Sequence, residues 1–241
     1  MIAVLYFVDI YFTLVQGLSA SKSGTQLLYY LPGLAAGVYL AVCMCNWRPR
    51  QTFLPLFLGS VIEAISLTVL TWALHKEDSA TIYAMIAVAG CGTGLRFMPG
   101  SLHGVAFFPN HIASVVSLVA LAIPFGGTIA MTIMGSVFNN KTGLTQSPSI
   151  EGTTHAAGPA EKDMVKRGVV WAYIAILPFM WLAVLAAAAL GNVYISPDKK
   201  VNQQGQLVLG GHIDEGPYLI SLLKRMRNTT ATEEIELRTG A

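Results

Sequence analysis

The chain has 241 residues, of which 54% are hydrophobic and only 12% charged, whereas roughly a quarter of the residues of an ordinary soluble domain carry charge; a soluble globular protein is excluded. Residues 1–138 hold nine of the Asp, Glu, Lys and Arg side chains and residues 139–241 the other nineteen, so the apolar bias lies where a bilayer could use it. The formal net charge of +2 is small and scattered, which sets aside nucleic acid as a partner, since that needs Lys and Arg clustered on one surface.

A hydrocarbon core about 30 Å thick calls for about 20 apolar residues per helix, and six segments meet or approach that length. The first covers about 1–18. It carries no basic lead-in and contains Asp9, so it reads as a retained helix rather than a signal peptide. The second covers 27–46. The third, 53–74, is bounded by Trp47-Arg48-Pro49-Arg50 before it and His75-Lys76-Glu77-Asp78 after it. The fourth, 81–106, runs through Gly90-Cys91-Gly92-Thr93-Gly94, and the fifth covers 112–138; no charged residue occurs between Phe97 and Asn140. A polar loop, 139–168, leads to the sixth segment, 169–194, which opens with Trp171 and Tyr173, aromatics that favour the membrane interface. The tail, 196–241, is hydrophilic and reads as partly disordered, with no soluble domain. The expected fold is an all-α polytopic membrane protein of six transmembrane helices in a lipid bilayer.

Six spans put both termini on one side of the membrane. Arg48, Arg50, Arg96, Lys199 and Lys200 on that side balance Lys22, Lys76, Lys141, Lys166 and Arg167 on the other, a tie by the positive-inside rule. The tail's Lys224, Arg225, Arg227 and Arg238 tip the count toward a cytosolic tail. The glycosylation sequon Asn140-Lys141-Thr142 agrees, because it needs the 139–168 loop to be extracytosolic; the sequon at Asn228 would then face the cytosol unused.

A charge at the centre of a spanning helix costs roughly 2.5–3.5 kcal/mol on the insertion scale. Asp9, Glu63 and Arg96 therefore each need a reason. One reason is functional: an acid as a proton or cation relay, with Arg96 as its counter-ion or as a contact for an anionic part of a substrate. The other is structural: an Asp9–Arg96 or Glu63–Arg96 pair, or acids held protonated by desolvation. Gly90, Gly92 and Gly94 followed by Pro99 and Gly100, and the run Pro124-Phe125-Gly126-Gly127, allow close approach and bending; both suit rocking helices and static packing equally. Tyr6, Phe7, Tyr11 and Phe12 with Gln16 suit a cavity for amphipathic molecules or plain packing. His103, Asn110 and His111 lie around the connection between the fourth and fifth spans and are expected at the membrane interface.

Cys43, Cys45 and Cys91 lie in apolar stretches with neither a disulfide framework nor a zinc spacing. Neither a metal nor a cofactor is expected. No Ser/His/Asp set, Cys/His set or Walker sequence stands out, so neither an enzyme nor an ATP-driven pump is expected.

The residues resemble a family. Tyr6-Phe7-Val8-Asp9-Ile10-Tyr11-Phe12, leading through Gln16 to Gly17-Leu18-Ser19-Ala20-Ser21-Lys22-Ser23-Gly24, looks like the seventh core helix and following loop of major facilitator superfamily drug:proton antiporters. Gly92-Thr93-Gly94-Leu95-Arg96-Phe97-Met98-Pro99 is similar to their tenth core helix, and Gly126-Gly127-Thr128 to Ser136-Val137-Phe138-Asn139-Asn140 to their eleventh. The style is that of fungal members with fourteen helices. The resemblance covers about 1–195 and implies the carboxy-terminal half-bundle of a carrier. It places the first, second, fourth and fifth spans toward the cavity and the third and sixth at the periphery, which favours Asp9, Gln16 and Arg96 over Glu63 in the substrate or proton pathway. Asp9 stands where many relatives have Pro.

The resemblance further implies proton-coupled efflux of a small-molecule substrate, with the amino-terminal half missing. A clipped or truncated chain comes first, ahead of a half that assembles with another carrier chain or with itself. The alternative is a non-transporting membrane protein that binds or regulates a full-length carrier. An integral, multi-pass protein of the plasma membrane is the default location, with vacuolar or other membranes left open.

Overall fold

The computed structural model describes residues 1–46, 51–108, 110–143, 159–201, 207–214, 218 and 220. Arg48, Arg50, the sequon at Asn228 and the basic residues of the distal tail lie outside the described residues. Helix α1 spans Ile2–Ile10 and continues as a π-helical turn over Tyr11–Val15. Gly17, at φ +69°, then supplies the left-handed backbone that redirects the chain. Helices α2, Ala20–Leu27, and α3, Tyr30–Asn46, follow with a short break between them. Pro32, in the first turn of α3, has no N–H to offer the Leu28 carbonyl, which accounts for the break.

Helix α4, Phe53–Lys76, stops at Glu77, whose φ of 60° is left-handed. Asp78 then caps α5, Ser79–Phe107, by accepting from the Thr81 backbone N–H at 3.5 Å. The Thr81 hydroxyl, helped by the backbone N–H groups of Thr81 and Ala80, holds the Asp78 carboxyl below its ordinary 3.8. The cap's contribution to stability is therefore present above that ordinary value and is lost as pH falls through the lowered one. Helices α6, Ile112–Thr142, and α7, Pro159–Ala188, complete the bundle. Helix thus extends past the apolar stretches on both sides of the polar loop, because polarity marks the edge of the hydrocarbon rather than the end of a hydrogen-bonded helix.

Among the described residues, five helical segments are long and apolar enough to cross a membrane: Ala20–Asn46, Phe53–Lys76, Ser79–Phe107, Ile112–Thr142 and Ala160–Ala188. Ile2–Val15 is apolar but shorter. The fold is an all-α membrane bundle, and its packing is governed by small residues. A Cβ on Gly37 would collide with the Cys91 carbonyl oxygen, and one on Gly94 with that of Leu34. Gly33 and Gly90 make comparable contacts with Ala87 and Tyr30. Two Gly-x-x-x-Gly stripes, Gly33/Gly37 on α3 and Gly90/Gly94 on α5, therefore face each other and bring the backbones together.

Helix α5 packs against α3 on one side and α4 on the other, α4 against α7, and α7 against α6. Helix α1 fills the interior at one end, where Val4, Phe7, Val8 and Phe12 join a buried cluster with Leu67, Leu70, Leu74, Ile82, Ile86, Met134, Phe138, Val169 and Tyr173. Tyr173 anchors it by donating to the Val4 carbonyl at 2.6 Å. Helix α4, expected at the periphery, is the most buried of the five spans. Its exposed residues are Leu54, Leu58, Ile65, Thr68 and Trp72 along the helix and His75 and Lys76 at its end, because it is wedged between α5 and α7.

The proximal tail adds two strands, β1 at Asn192–Val201 and β2 at Leu207–Asp214, paired antiparallel from Asn192↔Asp214 to Val201↔Leu207. The register shifts between Ile195 and Lys199, where Pro197 has no N–H to give the ladder. The Asn192 side chain ties this hairpin to the start of α4: its Oδ1 accepts from the Phe53 N–H at 3.2 Å, and its Nδ2 donates to Gln51 Oε1 at 3.3 Å.

The glycine contacts make a signed prediction for unfolding in detergent. Gly37→Ala and Gly94→Ala each lower the midpoint by the equivalent of about 1–3 kcal/mol, the usual cost of overpacking. Gly127→Ala, where no atom lies within 4 Å of the new Cβ, raises it by roughly 0.5–1 kcal/mol through helix propensity. Equal midpoints for the three variants would remove glycine packing as the basis of the bundle.

Candidate functional site

The site begins with the crossing of α4 and α5. A Cβ on Gly59 would lie 2.7 Å from the Arg96 Cγ and 2.7 Å from the Gly92 carbonyl oxygen, and one on Gly92 would lie 2.8 Å from the Glu63 nitrogen. Glu63 and Arg96 each follow their glycine by four residues, one helical turn on the same face. The close crossing therefore brings the carboxylate and guanidinium together, and the structure forms a Glu63–Arg96 ion pair.

The Glu63 side chain is 3% exposed and that of Arg96 29%. The buried Arg96 Nε has no hydrogen-bond partner among the described residues. Arg96 opens onto a groove of about 610 Å³ between α4, α5, α6 and α7. Its walls include Ser60, Thr93, Phe97, Val119, Ile123 and Leu190. The result is a mainly apolar slot with one cation in its wall, whose counter-ion lies behind it.

Asp9 does not meet Arg96. Its carboxylate accepts from the Ser23 hydroxyl of α2, which also reaches the Asp9 carbonyl at 3.2 Å. Gln16 donates to Ser79 at 3.2 Å, and the buried Tyr11 ring sits beside it. The aromatic side chains of α1 are largely core: Phe7 packs on Phe138 with ring centroids 5.7 Å apart, and Phe12 stacks on Tyr83 at 5.6 Å. The structure thus separates the four candidate polar residues into two clusters, Glu63 with Arg96 and Asp9 with Ser23, the Gln16–Ser79 bond lying beside the latter on the same helix.

Pro99 is buried within α5, while Pro124 in α6 is exposed. Each leaves the carbonyl four residues earlier without its intrahelical donor. Gly126 and Gly127 have open space where a Cβ would stand, unlike Gly92 and Gly94. Asn140 is exposed on the last turn of α6, and Thr142 of the same sequon donates to the Phe138 carbonyl at 2.9 Å. Among the described residues no group of three or more His, Cys, Asp or Glu could hold a metal ion.

Sequence reasoning missed Ser23 and Ser79 as partners of the polar side chains on α1. It also missed Gly59, whose signal was available in the matched spacing Gly59-x-x-x-Glu63 and Gly92-x-x-x-Arg96. A further polar junction went unseen: the Thr52 hydroxyl and His103 Nδ1 lie 2.9 Å apart, close to the hairpin anchor.

Taken together, these features define a polytopic helical membrane protein with a buried charge pair. No family model matches the chain. Curated relatives do: efflux pump mlcE of Penicillium citrinum is 30% identical over 198 residues, 76% of this chain and 35% of that protein. Efflux pump DEP3 of Alternaria brassicicola is 27% identical over 211 residues, 81% of this chain and 37% of that protein. The MFS-type transporter gkaD of Penicillium citrinum is 25% identical over 225 residues, 86% and 38% of the two chains. The resemblance read from the residues holds: the chain is homologous to part of fungal major facilitator superfamily transporters and folds as a partial bundle of that kind. It spans about 35–40% of the length of these relatives.

The charge pair predicts strong non-additivity. Removing one partner of a buried pair typically costs 3–5 kcal/mol, and the partial exposure of Arg96 puts Glu63→Gln and Arg96→Met near the lower figure, about 3 kcal/mol each. The double variant Glu63→Gln/Arg96→Met, which leaves no unpaired charge, loses less than either. A double-mutant cycle in detergent unfolding reads this directly, and additive losses would refute an energetically coupled pair.

Proposed function

We propose that these residues are the carboxy-terminal half of a proton-coupled carrier that exports small amphipathic molecules, present here as a truncated part of a longer transporter. The partial coverage of relatives named as efflux pumps supports this reading. The observation that carries it is the Glu63–Arg96 pair, because its cation alone opens onto an apolar groove. An amphipathic molecule could bury its apolar body there and present a polar or anionic group to the guanidinium.

Coupling follows from charge balance. With Glu63 ionised, Arg96 is held by its carboxylate. A proton on Glu63 removes that attraction and frees the guanidinium for the substrate, so protonation changes the substrate affinity of the site. Departure of the proton restores the pair and displaces the polar group. Asp9, held by Ser23, supplies a second carboxylate apart from that pair. The wide exposure of α6 over Val116, Leu118, Leu121, Ile123, Phe125 and Ile129 supports a surface that meets the other half of a carrier across a cavity.

The experiment has two parts. Reading the transcript upstream of Met1 is expected to reveal an in-frame region for about six to eight more helices. In that longer protein, Glu63→Gln, Arg96→Ala and Asp9→Asn each abolish proton-gradient-driven dye export per molecule of folded carrier, read after normalising to the amount of protein in the membrane. Normal export from all three sinks the assigned roles, and a stable product of this length that co-purifies with a carrier would make the chain a regulator instead.

A further inference from the structure

A second groove, of about 700 Å³, lies on the outer side of the bundle between α4 and α7. It is unrelated to the Glu63–Arg96 pair and does not depend on what the protein transports. Its lining runs from Asp163 to Leu177 along α7, about 21 Å at 1.5 Å per residue, and from His75 back to Thr68 along α4, about 10 Å. Polarity changes along that length. The charged residues, Asp163, Lys166 and Arg167, occupy the end next to the α4–α5 turn together with His75, whereas Val170, Ile174 and Leu177 line the other end. Thr68 and Thr71 do not interrupt the apolar part, because their hydroxyls donate to the Ala64 and Leu67 carbonyls of their own helix at 2.8 and 2.7 Å.

Trp72 and Trp171 flank the groove between its charged and apolar ends, the level at which indole rings sit in a bilayer. Lys141 of α6 lies 4.6 Å from the centre of the Trp171 ring, adding a cation to that rim. Lys166 is paired with Glu77, and Asp163 is the acid on the wall. Arg167 and Lys141 leave the rim with a positive balance before His75 is counted.

We propose that this groove is a binding site for an anionic phospholipid. Its phosphate meets Arg167 at the membrane surface, with Lys141 adding to the positive rim, its glycerol backbone passes between Trp72 and Trp171, and one acyl chain lies along Ile174 and Leu177. Three features argue for a lipid rather than a transported molecule: the groove opens to the outside of the bundle, its polarity follows the membrane normal, and its basic rim matches a phosphate.

The test uses the full chain in phosphatidylcholine vesicles, with Trp47 and Trp181 replaced by Phe so that Trp72 and Trp171 report. Brominated phosphatidylglycerol at low mole fraction is expected to quench their fluorescence several-fold more than the same fraction of brominated phosphatidylcholine. Arg167→Gln reduces that preference roughly fivefold, the effect of one basic residue near the surface, while Lys162→Gln, outside the groove lining, leaves it unchanged. Native mass spectrometry of the unsubstituted chain, counting bound phosphatidylglycerol against phosphatidylcholine with and without Arg167→Gln, gives the same comparison without the tryptophan changes. Equal quenching and equal adduct counts for the two lipids overturn the proposal, as does a preference that survives Arg167→Gln. Displacement of the lipid by free inorganic phosphate would show an anion site without a lipid slot, and would also overturn it.

Discussion

Close backbone approach at α5 is the constraint on which the rest of the molecule depends. Between helices in lipid there is little hydrophobic gain, so association relies on dispersion contacts made when small residues let two backbones meet. Gly90 and Gly94 do this toward α3, and Gly92 does it toward α4. The alternation is a consequence of helical geometry: residues two apart point about 200° from one another, so a Gly-x-Gly-x-Gly run offers smooth surface to neighbours on both sides. A helix with this run is suited to the centre of a layer, and α5 occupies that place between α3 and α4.

The charge pair inherits its geometry from that packing. Glutamate and arginine in hydrocarbon are each costly, and their attraction offsets the cost only when the groups lie close enough for direct contact. Gly59 and Gly92 remove the two Cβ atoms that would hold α4 and α5 apart, and the next helical turn then places Glu63 and Arg96 against each other. The polar bond is thus a product of backbone packing rather than its cause. The Glu63 side chain is almost fully enclosed, so any change in its protonation state is felt mainly by Arg96.

Much of the architecture was legible because hydropathy and backbone satisfaction restrict what can span a bilayer. The fourth and fifth segments are apolar over long runs, and they became α5 and α6. The β1–β2 hairpin was not legible, since its few apolar residues, such as Val193 and Ile195, are diluted by Pro, Asp and Lys in a segment read as tail. The site was legible residue by residue but not in its pairing. Asp9, Glu63 and Arg96 stand out by charge alone, yet which acid meets Arg96 depends on the register of two helices crossing at Gly59 and Gly92. Family resemblance pointed toward Asp9 and away from Glu63, whereas the contact geometry joins Arg96 to Glu63 and Asp9 to Ser23. Resemblance transfers the positions of helices more readily than the partners of individual side chains.

The bundle is also unequally stiff along its length. At the end near the α4–α5 turn, α1 is enclosed by Leu67, Leu70, Leu74, Ile82, Ile86, Phe138 and Tyr173, and Glu77 is bonded to Lys166. Toward the opposite end, the first half of α6 presents Leu118, Leu121 and Phe125 outward, and Gly126 and Gly127 meet nothing within 4 Å. Pro124 removes one intrahelical hydrogen bond at the boundary between these regimes. A helix that is packed from Met134 onward, lacks one hydrogen bond at Pro124 and, before it, touches α5 near Val115 bends most readily at that boundary. Since α6 also borders the Arg96 groove through Val119 and Ile123, bending at Pro124 changes the width of the groove without disturbing the α4–α5 crossing that holds the charge pair. The α4–α5 crossing that holds the charge pair and the Pro124 interruption are therefore carried by different contacts of the bundle.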